Sequence, residues 1–380
     1  MSTTASVADA PLLRTPFHQY HLDHGGKMVP FAGWEMPIRY GSIIEEHHQT
    51  RRSGGMFDVS HMGRVRFTGR DARRFLDRLC TRQIIDMQPG MVRYSLVCNE
   101  QGGCRDDVLI YRIAESEFLM VCNASNRLKL LDHFERVRGD LVFKVKDETQ
   151  STAMIALQGP KVMGLIAQFS SEIPALKRYR FTTKDLLLAK VLVSRTGYTG
   201  EDGVEVILPT MLANRAVDMM MKNSPDPDLI KPCGLGARDS LRLEAGMPLY
   251  GHEIEEHLDP VSAGLLFAIK LNKGEDNPEA GRFIGQDALQ TIAKAGPRRK
   301  LVGLVLEGKR AARQGMKVMH HGAEVGFITS GCWSPTLEKS IAMAYVDAAL
   351  SAEGATFTID TEKLNAPATV CGLPFYKAAG

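Results

Sequence analysis

The pattern of apolar and polar positions predicts a chain of mixed helices and antiparallel strands. Apolar and polar side chains alternate over residues 62–68, and two segments rich in β-forming residues follow at residues 94–98 and 108–113. The turn-forming sequence NEQGG joins the last two segments, which is typical of a β-hairpin. Apolar residues recur at helical spacing over residues 70–79 and 125–137. Helices interspersed with hairpins indicate the α+β class.

The middle of the chain is also predicted to contain both helices and strands. Residues 187–194 and 204–208 flank the loop RTGYTGEDG, whose glycines at every third position predict a tight reversal with positive φ angles. Residues 237–245 predict a helix that ends at Gly246, with a proline shortly after it. The stretch at 271–282 is polar and rich in Gly, Pro and Asn, so it is predicted to be a linker.

The chain is too long for a single domain. Its 380 residues exceed what one hydrophobic core normally serves. We place the boundary near residue 290, which divides the chain into residues 1–290 and residues 291–380. From residue 300 onward, short apolar runs recur between turns with little helical periodicity. This pattern predicts a small barrel or sandwich as the C-terminal domain.

Composition and charge narrow the function classes. The chain has 47 basic and 44 acidic residues and a formal charge of +3, which argues against nucleic acid as the partner. Its 7 cysteines form no CxxC pair and fit reduced thiols rather than a disulfide framework. The first residues lack the apolar core of a secretory signal, and no apolar run reaches the ~18 residues of a membrane span. We therefore expect a cytoplasmic protein without membrane segments.

The spacing of the histidines and glycines does not predict a metal or phosphate site. In HEIEEH, residues 252–257, the two histidines lie about 140° apart around a helix, whereas a zinc-protease helix needs both on one face. The adjacent pairs His47–His48 and His320–His321 are expected at the surface or in turns. GLGARD and GYTGEDG lack the spacing of a dinucleotide fingerprint. Neither a phosphate-binding GxxxxGK motif nor a GxSxG nucleophile motif occurs.

The remaining candidates for chemistry are acidic, and the first is the pair Asp106 and Asp107 at the start of a predicted strand. Successive strand side chains point to opposite faces, so only Asp107 shares the inward face of Leu109 and Tyr111. Asp106 then faces the mouth of the hairpin. A carboxylate held on the inward face can orient a nitrogen substrate or exchange protons with it. The alternative interpretation is a solvated pair that caps a turn.

Glu205 and Arg238 are two further candidates for ligand binding. Glu205 alternates with two valines, so its carboxylate points away from their apolar face. The alternative is an ordinary exposed strand residue. Arg238 is expected in the first turn of a helix, where the helix dipole disfavours a cation, so a carboxylate or a ligand is expected to hold it. Tyr94 and Tyr198 suit stacking on a flat heterocycle, although strand tyrosines also serve as packing residues.

Longer strings are more specific than any one of these residues. They run in order along the chain and include TPFHQYHLDHGGKMVPFAGWEMP, FDVSHM, GGCRDD, ALQGP, RTGYTGEDGVEV and GARDSLRLEAGMPLYGHEI. Near the C-terminus stands TSGCWSPTLEKSIAMAYV, at residues 329–346. Together they resemble the aminomethyltransferase, or T-protein, family of the glycine cleavage system, and the resemblance covers nearly the whole chain.

That resemblance implies a three-lobed, cloverleaf-like folate-binding fold. Two intertwined α+β lobes with mixed antiparallel sheets and a C-terminal β-barrel would surround a central opening that holds tetrahydrofolate. It also implies a transferase that takes the aminomethyl group from the lipoyl arm of the glycine cleavage H-protein. The one-carbon unit passes to tetrahydrofolate, which gives 5,10-methylenetetrahydrofolate, ammonia and the dihydrolipoyl protein. The expected partners are the lipoylated H-protein and folate, and no metal is expected.

The resemblance also assigns roles to individual positions. Asp107 matches the family's key carboxylate, Glu205 its pterin-binding glutamate and Arg238 its folate-contacting arginine. Further pocket positions fall on Met62, Tyr94, Asn123 and Tyr198. The folate's glutamate tail is expected to meet Arg238 and basic residues of the barrel such as Arg313. The chain departs from the family at its end, PFYKAAG, so Tyr376 is not assigned to substrate contact.

Two other functions are compatible with the same superfamily. One is a tetrahydrofolate-dependent demethylase of a small sulfonium or methylamine compound, which differs in its one-carbon donor. The other is a noncatalytic folate-binding accessory protein. Relatives of that second type carry a cysteine in a KGCYxGQE string, whereas the corresponding segment here is RTGYTGED. The sequence therefore favours aminomethyl transfer.

Overall fold

The computed structural model describes most of the chain. The described residues are 11–186, 189–224, 226–275, 277, 279–360 and 365–378. Residues 1–10, where a secretory signal was considered, lie outside these ranges. So do residues 187 and 188, the first two of the strand predicted at 187–194.

The described chain contains α-helices and short 3-10 turns between many strands. The strands are β1 Leu13–Arg14, β2 Lys27–Phe31, β3 Trp34–Arg39, β4 Gly55–Asp58, β5 Gly63–Thr68, β6 Val92–Cys98, β7 Cys104–Ala114, β8 Glu117–Cys122, β9 Lys144–Asp147, β10 Thr152–Gln158, β11 Phe181–Leu186, β12 Ala189–Ser194, β13 Gly203–Pro209, β14 Lys231–Pro232, β15 Arg299–Leu306, β16 Lys317–His320, β17 Ala323–Ser334, β18 Lys339–Asp347, β19 Thr356–Asp360 and β20 Asn365–Cys371. The helices are α1 His18–Asp23, α2 Ile43–Arg52, α3 Ala72–Leu79, α4 Arg127–Val137, α5 Val162–Ile166, α6 Glu172–Ala175, α7 Ala213–Lys222, α8 Leu235–Glu244 and α9 Gln286–Ala295.

The first lobe is built on a five-stranded antiparallel sheet. Its strand order is β6-β7-β8-β5-β9, so the predicted hairpin β6–β7 is confirmed and lies at one edge. Helices α3 and α4 cover one face of this sheet. Their apolar side chains pack with those of the strands in a core that includes Phe67, Phe75, Phe118 and Phe134. This packing explains the helical spacing of apolar residues in both segments.

The second lobe is built on a six-stranded sheet with the order β11-β12-β13-β10-β4-β14. Only the short pair β14–β4 is parallel among its described ladders. Helices α5 and α7 cover one face, where Val162 and Val217 pack against Val204 and Leu208 of β13. In this strand order, β13 and β10 each have a neighbouring strand on both sides.

The remaining faces of the two sheets pack against each other. Tyr111 and Val121 from the first sheet contact the same buried core as Ile207 from the second. Helix α8 adds Leu241 to this core. The chain passes from β4 in one sheet to β5 in the other through residues 59–62. Both faces of each sheet are thus covered, so polar residues on the inner faces are removed from solvent.

The C-terminal lobe is a closed six-stranded barrel with the order β15-β18-β17-β16-β19-β20. Its interior is filled by small and branched residues such as Leu304, Ile328, Ala344 and Ile359. The α+β class, the three lobes and the barrel expected from the sequence are confirmed. None of the helices within the described residues combines the length and apolar composition that crossing a bilayer requires.

The structure corrects the expectation that His47 lies at the surface. His47 is fully buried on α2, and its two ring nitrogens contact Ser240 Oγ at 2.8 Å and Glu244 Oε2 at 3.1 Å. Arg51 donates to the same carboxylate oxygen at 2.9 Å, and the barrel residue Ser334 donates to Oε1. These partners lie far along the sequence, and the cluster joins the barrel to the first two lobes.

The stretch at 271–282 has no helix or strand in its described part, as expected of a linker, but it is anchored. The side chain of Lys273 is fully buried. Its ammonium group lies 3.4 Å from Asp77 Oδ1 and donates to the carbonyl oxygens of Asp77, Cys80 and Arg82. This contact fixes the stretch on the first lobe.

Candidate active site

Asp107 lies on β7 and is held by two donors. Asn123 Nδ2 donates to Asp107 Oδ1 at 2.7 Å, and the Tyr94 hydroxyl donates to Asp107 Oδ2 at 3.2 Å. The alternation predicted from the sequence holds, since Tyr111 and Leu109, on the same side of the strand, belong to the core between the two sheets. The carboxylate is therefore fixed in orientation at the edge of that core.

Asp106 is fully buried, so the alternative of a solvated pair at a turn is wrong. Its carboxylate accepts hydrogen bonds from Asn123 Nδ2 at 2.7 Å, from the Asn123 backbone N–H at 3.1 Å and from Asn126 Nδ2 at 2.6 Å. The side-chain amide of Asn123 thus bridges the two carboxylates. Sequence alternation alone missed this burial because Asn123 and Asn126 come from the segment that follows β8.

Burial raises the pKa of both carboxyl groups. The charge of Asp107 adds to this effect at Asp106, whose pKa rises to about 8. At Asp107 burial also raises the pKa, while the hydrogen bonds from Asn123 and Tyr94 favour the charged form. Two acids joined by one amide resist double ionisation. The pair therefore favours one negative charge over two, and the hydrogen bonds from Asn123, Asn126 and Tyr94 stabilise that charge.

Tyr94 extends the site toward solvent. Its ring stacks on Phe267, with centroids 6.1 Å apart and an angle of 20° between the planes. Phe267 belongs to the 3-10 turn Leu266–Ala268 and is 66% exposed. Burial and the charge of Asp107 raise the pKa of Tyr94 well above its usual value, so the hydroxyl stays protonated and keeps its donor role.

Glu205 is 5% exposed, so the alternative of an exposed strand residue is wrong. It lies on β13, between Ser194 of β12 and Ala156 of β10. The Thr196 hydroxyl donates to Glu205 Oε2 at 2.5 Å. The sequence pattern was misleading because β13 is an interior strand with both faces covered, which one sequence does not reveal.

Arg238 lies on α8 with its guanidinium over an aromatic ring. Its guanidinium carbon is 5.0 Å from the centre of the Tyr198 ring. Burial lowers the pKa of Arg238, while the charge of Glu205 opposes this shift. Its Nη1 atom is buried and has no hydrogen-bond partner among the described residues. A buried guanidinium nitrogen without a partner is costly, so this atom is a candidate donor to a ligand oxygen.

The loop RTGYTGEDG is shaped by close packing more than by its backbone angles. Only Gly200 of its three glycines has a positive φ, +82°. A Cβ atom on Gly197 would lie 1.9 Å from Gln158 Oε1, and one on Gly203 would lie 2.2 Å from the Leu157 carbonyl oxygen. The loop therefore lies directly against β10, and its Tyr198 hydroxyl donates to the Pro248 carbonyl oxygen.

The structure brings the candidate residues into one region between the lobes. Asp107, Tyr94 and Asn123 form one group, and Glu205 and Arg238 form another. Tyr198 connects them: its ring contacts Arg238, and the charge of Asp107 contributes to its raised pKa. Met62 packs on the core between the sheets that borders both groups. The other sequence candidate, Arg313, is exposed on the barrel.

The HEIEEH segment makes buried contacts with the neighbouring elements. Glu253 is fully buried and accepts from Arg242 Nη1 at 2.9 Å, while His252 Nδ1 contacts the Thr329 carbonyl oxygen at 3.0 Å. His257 is exposed. Within the part of the chain that the structure describes, no three His, Cys, Asp or Glu side chains are grouped as metal ligands.

One polar residue next to these groups was missed by the sequence reasoning. His61 is 4% exposed and its Nδ1 atom is buried without a hydrogen-bond partner among the described residues. Its only sequence signal is its position in DVSHM, directly before Met62.

Comparison with known families agrees with this architecture. The family model described as the GCVT N-terminal domain matches residues 17–273. The model described as the glycine cleavage T-protein C-terminal barrel domain matches residues 299–377. The two matches cover both sheet lobes and the barrel.

Named relatives match over almost their whole length. An aminomethyltransferase of Rubrobacter xylanophilus is 44% identical over 373 residues, 98% of this chain and 96% of that protein. One from Bacillus subtilis is 39% identical over 96% of this chain and 99% of its own. The crystal structure of the glycine cleavage system aminomethyltransferase T from Bartonella henselae superposes with a TM-score of 0.88 at 30% identity, covering 97% of this chain and 99% of that one. The chain therefore belongs to the aminomethyltransferase, or T-protein, family of the glycine cleavage system.

Proposed function

We propose that this chain transfers the one-carbon unit of an aminomethyl group from the lipoyl arm of the glycine cleavage H-protein to tetrahydrofolate. The carbon leaves its sulfur and nitrogen atoms and forms two bonds, to N5 and N10 of the folate. The two protons released from the folate nitrogens pass to the sulfur and to the departing amino group, which leave as a thiol and as ammonia. No oxidant or reductant is needed, which fits a site built from carboxylates, amides and tyrosines.

The residues around Glu205 and Arg238 fit a folate. A pterin is a flat ring with an N–H edge that a carboxylate can bind through two parallel hydrogen bonds, and Glu205 supplies a buried carboxylate. Arg238 supplies a buried donor without a protein partner. Tyr94 and Tyr198 offer aromatic faces, and Met62 offers an adaptable apolar surface. Because the charge of Glu205 acts on Arg238, we assign Arg238 to the pterin end rather than to the glutamate tail.

The single observation that carries the proposal is the held carboxylate of Asp107. As the carbon leaves sulfur it acquires the positive charge of an iminium ion, and a fixed anion nearby stabilises that charge. Asn123 and Tyr94 hold Asp107 in one orientation before substrate arrives. Such preorganisation means that the site need not rearrange as the charge develops.

The partner we propose is the lipoylated H-protein, whose flexible arm reaches Asp107 from solvent. Tyr94 and the exposed Phe267 mark one route, because they connect Asp107 with the surface. The expected location of the reaction is the cytoplasm.

The test is a reaction of the purified chain with aminomethylated H-protein and tetrahydrofolate. We expect ammonia and 5,10-methylenetetrahydrofolate to form in equal amounts. Parallel reactions replace the H-protein with a sulfonium compound or a methylamine. Folate methylation with one of these donors and no ammonia from the H-protein would favour the demethylase alternative, and folate binding without any turnover would favour the accessory protein.

A further inference from the structure

The turn between β4 and β5 is fixed at nearly every backbone group. The Met62 N–H donates to the Val59 carbonyl oxygen at 3.1 Å, which closes the turn. The Ser60 hydroxyl donates to the Met154 carbonyl oxygen and accepts from the Met154 N–H. The fully buried guanidinium of Arg64 donates to the carbonyl oxygens of Ser60 and Met62. The backbone of this turn is therefore fixed, and so are the directions in which its side chains leave it.

His61 is the side chain in this turn whose role nothing in the fold explains. It is buried, with one edge-on ring contact to Phe31 at 5.4 Å between centroids and 89° between planes. Its Nδ1 has no hydrogen-bond partner in the described chain. Burial lowers the pKa of His61 to about 4; the charge of Asp58 opposes this shift, and the charges of Arg238 and Arg64 add to it. The ring is thus neutral at physiological pH, with one nitrogen able to donate and one able to accept.

Two buried polar atoms beside one core have no hydrogen-bond partner among the described residues, His61 Nδ1 and Arg238 Nη1. Met62, which follows His61, packs on the core between the two sheets, and Ala237, which precedes Arg238, belongs to the same core. Buried polar groups in folded proteins nearly always have a partner, so two unpartnered donors beside one core indicate a place where a ligand binds.

We infer that His61 is a further folate-binding residue, and that its Nδ1–H donates to an oxygen acceptor of the folate. This inference rests on the proposed function and adds a residue to its binding site. Folate offers two such acceptors, the carbonyl oxygen of the pterin ring and the carboxylates of its glutamate tail.

The experiment compares two variants at this position in the full chain. His61→Leu removes both ring nitrogens and keeps an apolar side chain of similar reach. His61→Asn keeps an N–H donor near the place of Nδ1. Affinity for 5-formyltetrahydrofolate is measured by titration calorimetry, and folding is checked by thermal unfolding. We expect the Leu variant to bind about tenfold or more weakly, the usual effect of leaving a buried polar partner unpaired, and the Asn variant to recover most of that loss.

His133 provides a matched control. It is also a buried histidine with an unpartnered ring nitrogen, Nε2, and burial and nearby arginines also lower its pKa to about 4. It lies on α4, where the charges acting on it come from Arg105, Arg136, Glu100 and Glu256. His133→Leu is expected to bind folate with unchanged affinity, so a general effect of removing a buried histidine is separated from loss of a ligand contact.

A second ligand separates the two acceptors. Tetrahydropteroate has the pterin ring but no glutamate. If His61→Leu weakens its binding equally, the acceptor is on the ring; if the loss vanishes, the acceptor is a tail carboxylate. Wild-type affinity of folded His61→Leu for both ligands would overturn the inference, and so would failure of folded His61→Asn to recover binding. Neither result affects the proposed function, which fails only if the wild-type chain gives no aminomethyl transfer.

Discussion

Replacing Asp107 with Asn removes a negative charge with little change in volume. Asp107 accepts from Asn123 through Oδ1 and from the Tyr94 hydroxyl through Oδ2. An amide keeps one acceptor and turns an NH₂ group toward the other donor, so one of these hydrogen bonds is lost. The buried charge that disappears was itself unfavourable, as the raised pKa of Asp107 shows. The two effects oppose each other, and we expect the unfolding free energy to change by no more than about 1 kcal/mol.

The effect on the reaction is much larger. Two unit charges about 4 Å apart attract each other by about 4 kcal/mol at an effective dielectric constant of about 20. Loss of that attraction in the transition state alone lowers the rate by about three orders of magnitude. The measured range for positioned acid-base groups is about 10² to 10⁴. We therefore expect Asp107→Asn to lower kcat by about two to three orders of magnitude.

The assay follows 5,10-methylenetetrahydrofolate formation at saturating concentrations of both substrates. Asp147→Asn is the control, because Asp147 lies on β9 at the opposite edge of the same sheet, where it pairs with Arg127 and accepts from Thr149. This control is expected to keep near-normal kcat. A folded Asp107→Asn protein within tenfold of wild-type kcat would refute the role assigned to the carboxylate.

Three further predictions concern the other buried carboxylates. Glu205→Ala should weaken folate binding more than it lowers kcat, because its hydrogen bonds form in ground and transition states alike; unchanged affinity by calorimetry would contradict this. At Glu244 burial opposes ionisation, but contacts with His47, Ser334 and Arg51 outweigh it and lower the pKa to about 2. Glu244→Gln should therefore cost about 3 kcal/mol or more in urea unfolding at pH 7. Since the folded pKa lies below the ordinary glutamate pKa of 4.5, the wild-type advantage should shrink as pH falls below that value toward 2; a constant difference would argue against the ion pair. For Asp106 the sign is reversed: its folded pKa, about 8, lies above the ordinary aspartate pKa of 3.8, so its stabilising contribution declines as pH rises between these two values. Between pH 5 and about 8, the unfolding free energy of Asp106→Asn should rise relative to that of wild type. Parallel pH profiles of the two unfolding free energies would count against a proton held by the carboxylate pair.

Local patterns were sufficient for much of the fold. Alternation and turn residues predicted the hairpin β6–β7 and the face on which Asp107 lies, because both depend on neighbours in the sequence. The helix α8 and its end at Gly246 were predicted for the same reason. The sequence did not distinguish a barrel from a sandwich for the C-terminal domain. Closure of the barrel depends on the pairing of β15 with β20, which are separated by most of the domain.

The errors share one physical cause. His47 was expected at the surface, exposure was an alternative interpretation for Asp106 and Glu205, and all three residues are buried. Their burial depends on groups distant in the sequence: His47 contacts Ser240, 193 positions away. The polar partners that make such burial tolerable come from other elements, so no local pattern reveals them. At Glu205 the resemblance of whole motifs predicts a ligand contact without using exposure, and that role stays a prediction.

The most direct test of the account is a crystal structure of the chain with 5-formyltetrahydrofolate bound. We expect the pterin between the two sheet lobes, with its N–H edge on the Glu205 carboxylate and N5 beside Asp107. A folate bound elsewhere, with both carboxylates lacking any contact with it, would contradict the assignment of this site.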